Sequence, residues 1–144
     1  MDIDLVLVPV DGSERAERAA DCAVAVAERY GADLHLLFVV DERLQRDIDA
    51  GRVDPEAVAE DHRTYTERVR SSFGGTGGSL DSSTAAAFSE HRLMQTPGSV
   101  VLDAAEDVDA DFIVVPREGE GGEAAVGRAA LYVLEYASQP VLSV

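Results

Sequence analysis

Continuous apolar runs alternate along this chain with stripes of helical period. Leu5-Val-Leu-Val is unbroken and is closed by Pro9 and the turn-forming Asp11-Gly12-Ser13. That is the pattern of a parallel strand buried on both faces. Ser13 or Asp11 is placed to cap a following helix, with Glu14 and Glu17 in its first turns. Ala19, Cys22, Ala23, Val26, Ala27 and Tyr30 recur at i, i+3, i+4 and make its apolar face, and Gly31 stands where a C-terminal cap belongs. Leu34-His-Leu-Leu-Phe-Val-Val is a second strand, so the first helix is the crossover of a right-handed βαβ unit.

Asp41 to Asp54 is polar and reads as an irregular loop. Asp54-Pro55 then reads as the N-cap and first position of a helix carrying Val58, His62, Tyr65, Val69 and Phe73. Gly74-Gly-Thr-Gly-Gly-Ser follows a helix rather than a strand, which makes it a flexible linker and not a phosphate cradle. Thr84 to Ser89 is assigned as the third strand against the helical preference of its alanines. Thr96-Pro97 opens a helix with Val100, Val101, Ala104, Ala105 and Val108 on its inner face, and Phe112 to Val115 is a fourth strand. Past a glycine-rich loop, Val126, Ala129, Ala130, Val133, Leu134 and Ala137 mark a last helix, and Pro140-Val-Leu-Ser-Val a short fifth strand. The expected fold is one α/β domain over residues 1–144, with five parallel strands, four helices on the two faces of the sheet, and strand order 3-2-1-4-5.

Composition narrows the function. With 28 acidic residues against 12 basic ones, the chain carries a net charge of −16, and every basic residue is Arg. Self-repulsion of that size is relieved at about 1 M salt, where the Debye length is about 3 Å. The acidic, Lys-free composition resembles the proteins of halophiles that keep molar salt in the cytoplasm. It argues against nucleic acid as a partner, because phosphate-backbone binding relies on clustered Lys and Arg. No apolar run approaches the roughly 20 residues of a membrane span. Asp2 and Asp4 stand where a secretory signal would be basic, so the expected location is cytoplasmic. Cys22 is the only cysteine, so no intrachain disulfide forms, and its place on an apolar stripe marks it as a structural thiol.

The absence of Lys excludes both a G-x-x-x-x-G-K-[ST] phosphate loop and a Lys Schiff base. There is no G-x-S-x-G nucleophile elbow. His35, His62 and His91 are scattered without metal-ligand spacing and read as structural. Gly119-x-Gly121-x-x-Ala124 has dinucleotide-loop spacing, but it opens the last helix instead of the first, which rules the match out. What remains is the switch point between the first and fourth strands, where Val8–Gly12 faces Val115–Gly127. At that point Asp11 either accepts from a ribose hydroxyl or an amine, or caps a helix.

Val8-Pro-Val-Asp-Gly-Ser, Val39-Val-Asp-Glu-Arg, Ala110-Asp-Phe-Ile-Val-Val and Ala137-Ser-Gln-Pro-Val-Leu, in this order and spacing, resemble the universal stress protein family over essentially the whole chain. The resemblance implies an adenine-nucleotide alpha hydrolase-like fold, and nothing in the sequence nominates a catalytic nucleophile–base pair. It also implies a homodimer, in some members paired through the C-terminal strand, here Pro140 to Val144. One branch of the family binds ATP and another lacks the binding residues. The family-equivalent nucleotide positions here are Pro9, Asp11, Val39, Val115, Gly119, Gly127 and Arg128. ATP-binding relatives carry G-x-x-G, nine residues, then G-[ST]. In this chain Pro116 replaces the first glycine, seven residues separate Gly119 from Gly127, and Arg128 replaces the Ser or Thr. Glu118, Glu120 and Glu123 add negative charge, while Arg117 and Arg128 are good phosphate forks. The expectation is a non-enzymatic interaction protein with no cofactor and no metal. The alternative is an ATP or AMP sensor with an altered phosphate loop.

Overall fold

A computed structural model describes residues 1–74, 78–86, 96–117 and 125–144, with the backbone alone for residues 125–128. Its elements in chain order are β1 (Leu5–Val10), α1 (Glu14–Tyr30), β2 (Asp33–Val40), α2 (Glu42–Asp49), α3 (Pro55–Ser72), β3 (Leu80–Ala86), α4 (Pro97–Asp107), β4 (Phe112–Val115), α5 (Ala125–Tyr136) and β5 (Val141–Ser143). The strands form one five-stranded sheet in the order β3-β2-β1-β4-β5, with every neighbouring pair parallel. The expected order is the observed one.

Strand periodicity divides β1 between two cores. Val6, Val8 and Val10 join Leu34, Leu36 and Phe38 of β2 against α1 and Val69 of α3. Leu7 joins Leu37 and Val39 against Val101 and Ala105 of α4 and Ala129, Ala130 and Val133 of α5. Alternate residues point to opposite faces, and both faces are covered, so the run has no polar position to spare. The strand starts are tied by carboxylates. Asp111 Oδ2 accepts from the backbone N–H groups of Asp4 and Leu5 at 2.9 and 3.0 Å, and Asp33 Oδ1 accepts from Ser79 N–H at 2.8 Å.

Helix ends follow the sequence signals. Ser13 caps α1 through its side chain, which accepts from Ala16 N–H, and the left-handed Gly31 (φ 64°) closes it. Thr96 and Ser99 form a reciprocal capping box at α4.

Four expectations are corrected. The segment expected to be a loop contains α2. Asp41 Oδ1 accepts from Leu44 N–H at 2.8 Å, and Leu44 and Ile48 lie one turn apart on the same side, a pattern that the surrounding charge obscured. The described residues therefore hold five helices, not four. The third strand begins at Leu80 rather than Thr84, and its polar residues are mostly exposed because β3 is an edge strand. Residues 87–89 of the expected strand, residues 75–77 of the linker and His91 lie outside the described residues. Tyr30, assigned to the apolar face of its helix, and Leu134, one of the apolar positions marking the last helix, are 61% and 46% exposed. Tyr30 is the last residue of α1, and Leu134 is turned away from the sheet that its neighbour Val133 packs against. Cys22 is half-buried against the α1 core.

The contact between α4 and α5 is made possible by Gly98. A Cβ there would stand 2.6 Å from Tyr132 Cβ, an atom that backbone holds in place. Gly98→Ala should therefore lower stability by about 1–3 kcal/mol through overpacking, outweighing a helix-propensity gain of at most about 1 kcal/mol. A lower urea midpoint is the expected result. An unchanged or higher midpoint would contradict this packing.

Candidate functional site

A pocket of about 370 Å³ opens at the carboxyl ends of β1 and β2. Gly12, at φ 86°, turns the chain sharply out of β1. This turn sets Asp11 at the mouth of the pocket and Ala16 and Glu17 of α1 along one wall. Asp11 Oδ1 accepts from Ser13 N–H at 3.0 Å, so its carboxylate also fixes the turn into α1. Ser13, rather than Asp11, is the helix cap. Phe38 and Val39 close the floor, while α2 contributes Leu44 and α3 contributes Val58, Asp61, His62 and Tyr65.

Aromatic rings build the α3 wall. His62 stacks on Phe38 with centroids 4.0 Å apart and planes 14° from parallel, and Tyr65 meets Phe38 edge-on at 6.0 Å. Burial lowers the His62 pKa below the ordinary histidine value, against the pull of Asp61, which keeps the ring neutral at pH 7. Burial, then the negative charge of Glu17, pushes the Tyr65 hydroxyl up to about 12, so it stays protonated. Arg68 lies over the outer face of the Tyr65 ring, 4.9 Å from its centroid, and its Nη2 donates to Glu17 Oε1 at 3.1 Å. His35 sits apart, within hydrogen-bond distance (2.8 Å) of Ser83 Oγ through Nε2, and burial lowers its pKa as well.

The expected site residues separate. Asp11 and Val39 meet in the pocket. Pro9 is buried within β1, opposite Leu37 of β2. Val115 ends β4 fully buried in the α4–α5 core and does not line the pocket. Pro116 is buried behind it, and Arg117 N–H donates to Val144 O at 2.8 Å. Gly119, Gly121 and Ala124 lie outside the described residues, as does the side chain of Arg128. Gly127 and Arg128 are placed only as backbone in the first turn of α5. Sequence reading missed Phe38, Leu44, Val53, Asp61, His62 and Tyr65 as pocket residues. Their one legible signal was an aromatic pair, His62 and Tyr65, on the stripe of α3 after a strand ending in Phe38. Among the described residues, no group of three or more His, Cys, Asp or Glu converges as metal donors, and no helix is long and apolar enough to cross a membrane.

The model of the universal stress protein family matches residues 3–144. The chain belongs to that family. This universal stress protein is similar in structure to the hypothetical protein MJ0577, at 22% identity and TM-score 0.75, with all of this chain and 96% of the other covered. It is also similar to a universal stress protein in complex with cAMP, at 21% identity and TM-score 0.67, covering 100% and 98%. A third similar structure is the universal stress protein UspA from Lactobacillus plantarum, at 23% identity and TM-score 0.68, covering 100% and 99%. At such identities these likenesses speak for the fold. No curated protein matches the chain in sequence.

The lowered pKa values of His35 and His62 have a defined linkage. Below about pH 6.5 the unfolded chain takes up protons that the folded one resists, so stability falls as pH drops from about 6.5 toward the folded values. Carboxylate repulsion in this acidic chain changes in the opposite direction, so the contribution is isolated by difference. Between pH 7.5 and 5.5, the double variant His35→Asn/His62→Asn should lose less stability than the parent in urea titrations. Equal losses would contradict the assignment.

Proposed function

We propose that this universal stress protein is a non-enzymatic, cytoplasmic, homodimeric interaction protein that carries no cofactor and does not hold ATP as ATP-binding relatives do. The observation that carries this reading is the path of the chain after β4. Where those relatives begin a loop of backbone donors, Pro116 offers no N–H, and the N–H of Arg117 is bonded to Val144 O at 2.8 Å. Backbone donors are the part of an anion cradle that added charge replaces least well. The two-residue shortening between Gly119 and Gly127 and the loss of the Ser or Thr at Arg128 point the same way.

A second reading, a nucleotide sensor using Asp11, Gly119, Gly127 and Arg128, is favoured by one observation. The pocket opens at Asp11 and Val39, and a neighbour of the same fold was solved with cAMP. The two readings separate in a thermal-shift assay with Mg-ATP in molar KCl. The first expects no shift. A shift of several degrees, corresponding to about 2.7 kcal/mol at 100 times Kd and abolished by Asp11→Ala or Arg128→Ala, would establish the second.

The acid excess, with net charge −16, fits a halophilic setting in which salt screens the repulsion. Assembly is read from the C-terminal edge. β5 is a three-residue edge strand. On the preceding helix Leu131 and Tyr136 are 73% and 60% exposed, and Leu142 of β5 is partly exposed as well. An apolar edge of this kind is suited to pairing with a second copy through Pro140 to Val144. Light scattering in molar KCl should give twice the 15.3 kDa chain mass, with Leu142→Asp shifting it toward the single chain. A monomeric parent would contradict the assembly.

A further inference from the structure

We propose that Ser83 is an acyl-acceptor site, its hydroxyl activated by the imidazole of His35 so that it takes the acyl group of a small activated ester. The sequence conceals this pair, because its members stand 48 residues apart and meet only when β2 and β3 align. His35 Nε2 lies 2.8 Å from Ser83 Oγ, within the reach at which a general base takes a hydroxyl proton. Asp81 is the register partner of His35 on β3. Residues two apart on a strand share a face, so Asp81 and Ser83 project from the same side of the sheet. The negative charge of Asp81 acts on the imidazole and favours the imidazolium that forms as the proton arrives. Two adjacent strands thus supply a nucleophile, a base and a carboxylate beside the base.

Burial divides the roles within the pair. The His35 ring is only 8% exposed, and burial lowers its pKa against the pull of Asp81, which leaves it a neutral proton acceptor at pH 7. Ser83 stands exposed on the edge strand, open to a reagent. Leu34 N–H donates to Ser79 O, so the alternation of a parallel ladder turns the N–H of Ser83 to β2 and that of Thr84 to the outer side of β3. In nucleophile elbows the N–H that follows the serine is one of the donors to the acyl oxygen.

In the step, Ser83 Oγ bonds to the carbonyl carbon of the ester and its proton passes to His35 Nε2. The bond from that carbon to the leaving oxygen breaks, and the leaving oxygen takes up the proton. The products are O-acylated Ser83 and the free alcohol. The step ends at the acylated chain, so it adds a modification site to the function proposed above and is independent of whether ATP binds.

The test is acetylation of the full chain by p-nitrophenyl acetate in molar KCl at neutral pH, with the acetylated residues located by peptide mass spectrometry. Ser79 and Ser82 are the internal controls, exposed on the same segment and hydrogen-bonded to no imidazole among the described residues. Ser83 should be acetylated at least about tenfold faster than either, short of the 10²–10⁴ of a fully positioned general base. It should also react more slowly in urea than in the folded chain, which exposure alone would not produce. His35→Gln, which keeps a hydrogen-bonding group but no base, should remove the preference. Equal acetylation of the three serines in the folded parent would overturn the proposal, as would a preference that survives in His35→Gln or in urea.

Discussion

Burial of β1 on both faces is the constraint on which the rest of this fold depends. Val6, Leu7, Val8 and Val10 are almost completely removed from water and serve two separate cores in alternation. Each fully buried aliphatic side chain contributes about 1.5–3 kcal/mol, so this strand is a major source of cohesion in the sheet centre. A strand so placed has both edges paired, to β2 and to β4, and the chain crosses to opposite faces from its two sides. Its carboxyl end is therefore where flanking loops diverge and a concavity becomes available. The pocket is a consequence of that geometry before it is a property of any one residue.

Electrostatics then decides what the concavity can hold. In a chain of net charge −16, an anion site needs a local reversal of sign, and the proposed function holds that the backbone after β4 does not supply it. Pro116 has no N–H, and the Arg117 N–H donates to Val144 O, extending the β4–β5 pairing by one hydrogen bond. The pocket that is formed lies on the β2 side, is closed by α2 and α3, and is bordered by Asp11, Glu17 and Asp61. Under the proposed function both features disfavour phosphate.

The scaffold was legible because its signals are local. Apolar runs gave β1, β2 and β4, while Ser13, Gly31 and Thr96 announced helix ends that the backbone then used as expected. The elements misread were those whose local signal is weak. α2 is eight residues long with half of its face charged, and β3 is an edge strand whose exposed Ser82, Ser83 and Thr84 erase the alternation. The site was only partly legible, because its walls come from distant segments. His62 looked like an isolated structural histidine until α3 laid it on Phe38, and Val53 and Leu44 acquire a role only once α2 folds over the end of β2. Val115, by contrast, was grouped with the site through its motif, and the structure buries it at the end of β4 among residues of α4 and α5.

The chain keeps the family scaffold, and the central proposal is that it has lost the means of holding a triphosphate. Calorimetric titration of ATP and adenosine side by side, in molar KCl with Mg²⁺, tests that claim most directly, since the two ligands differ only in the phosphates. ATP should bind no more tightly than adenosine. One-to-one ATP binding at least tenfold tighter than adenosine, equivalent to about 1.4 kcal/mol from the phosphates, would contradict it.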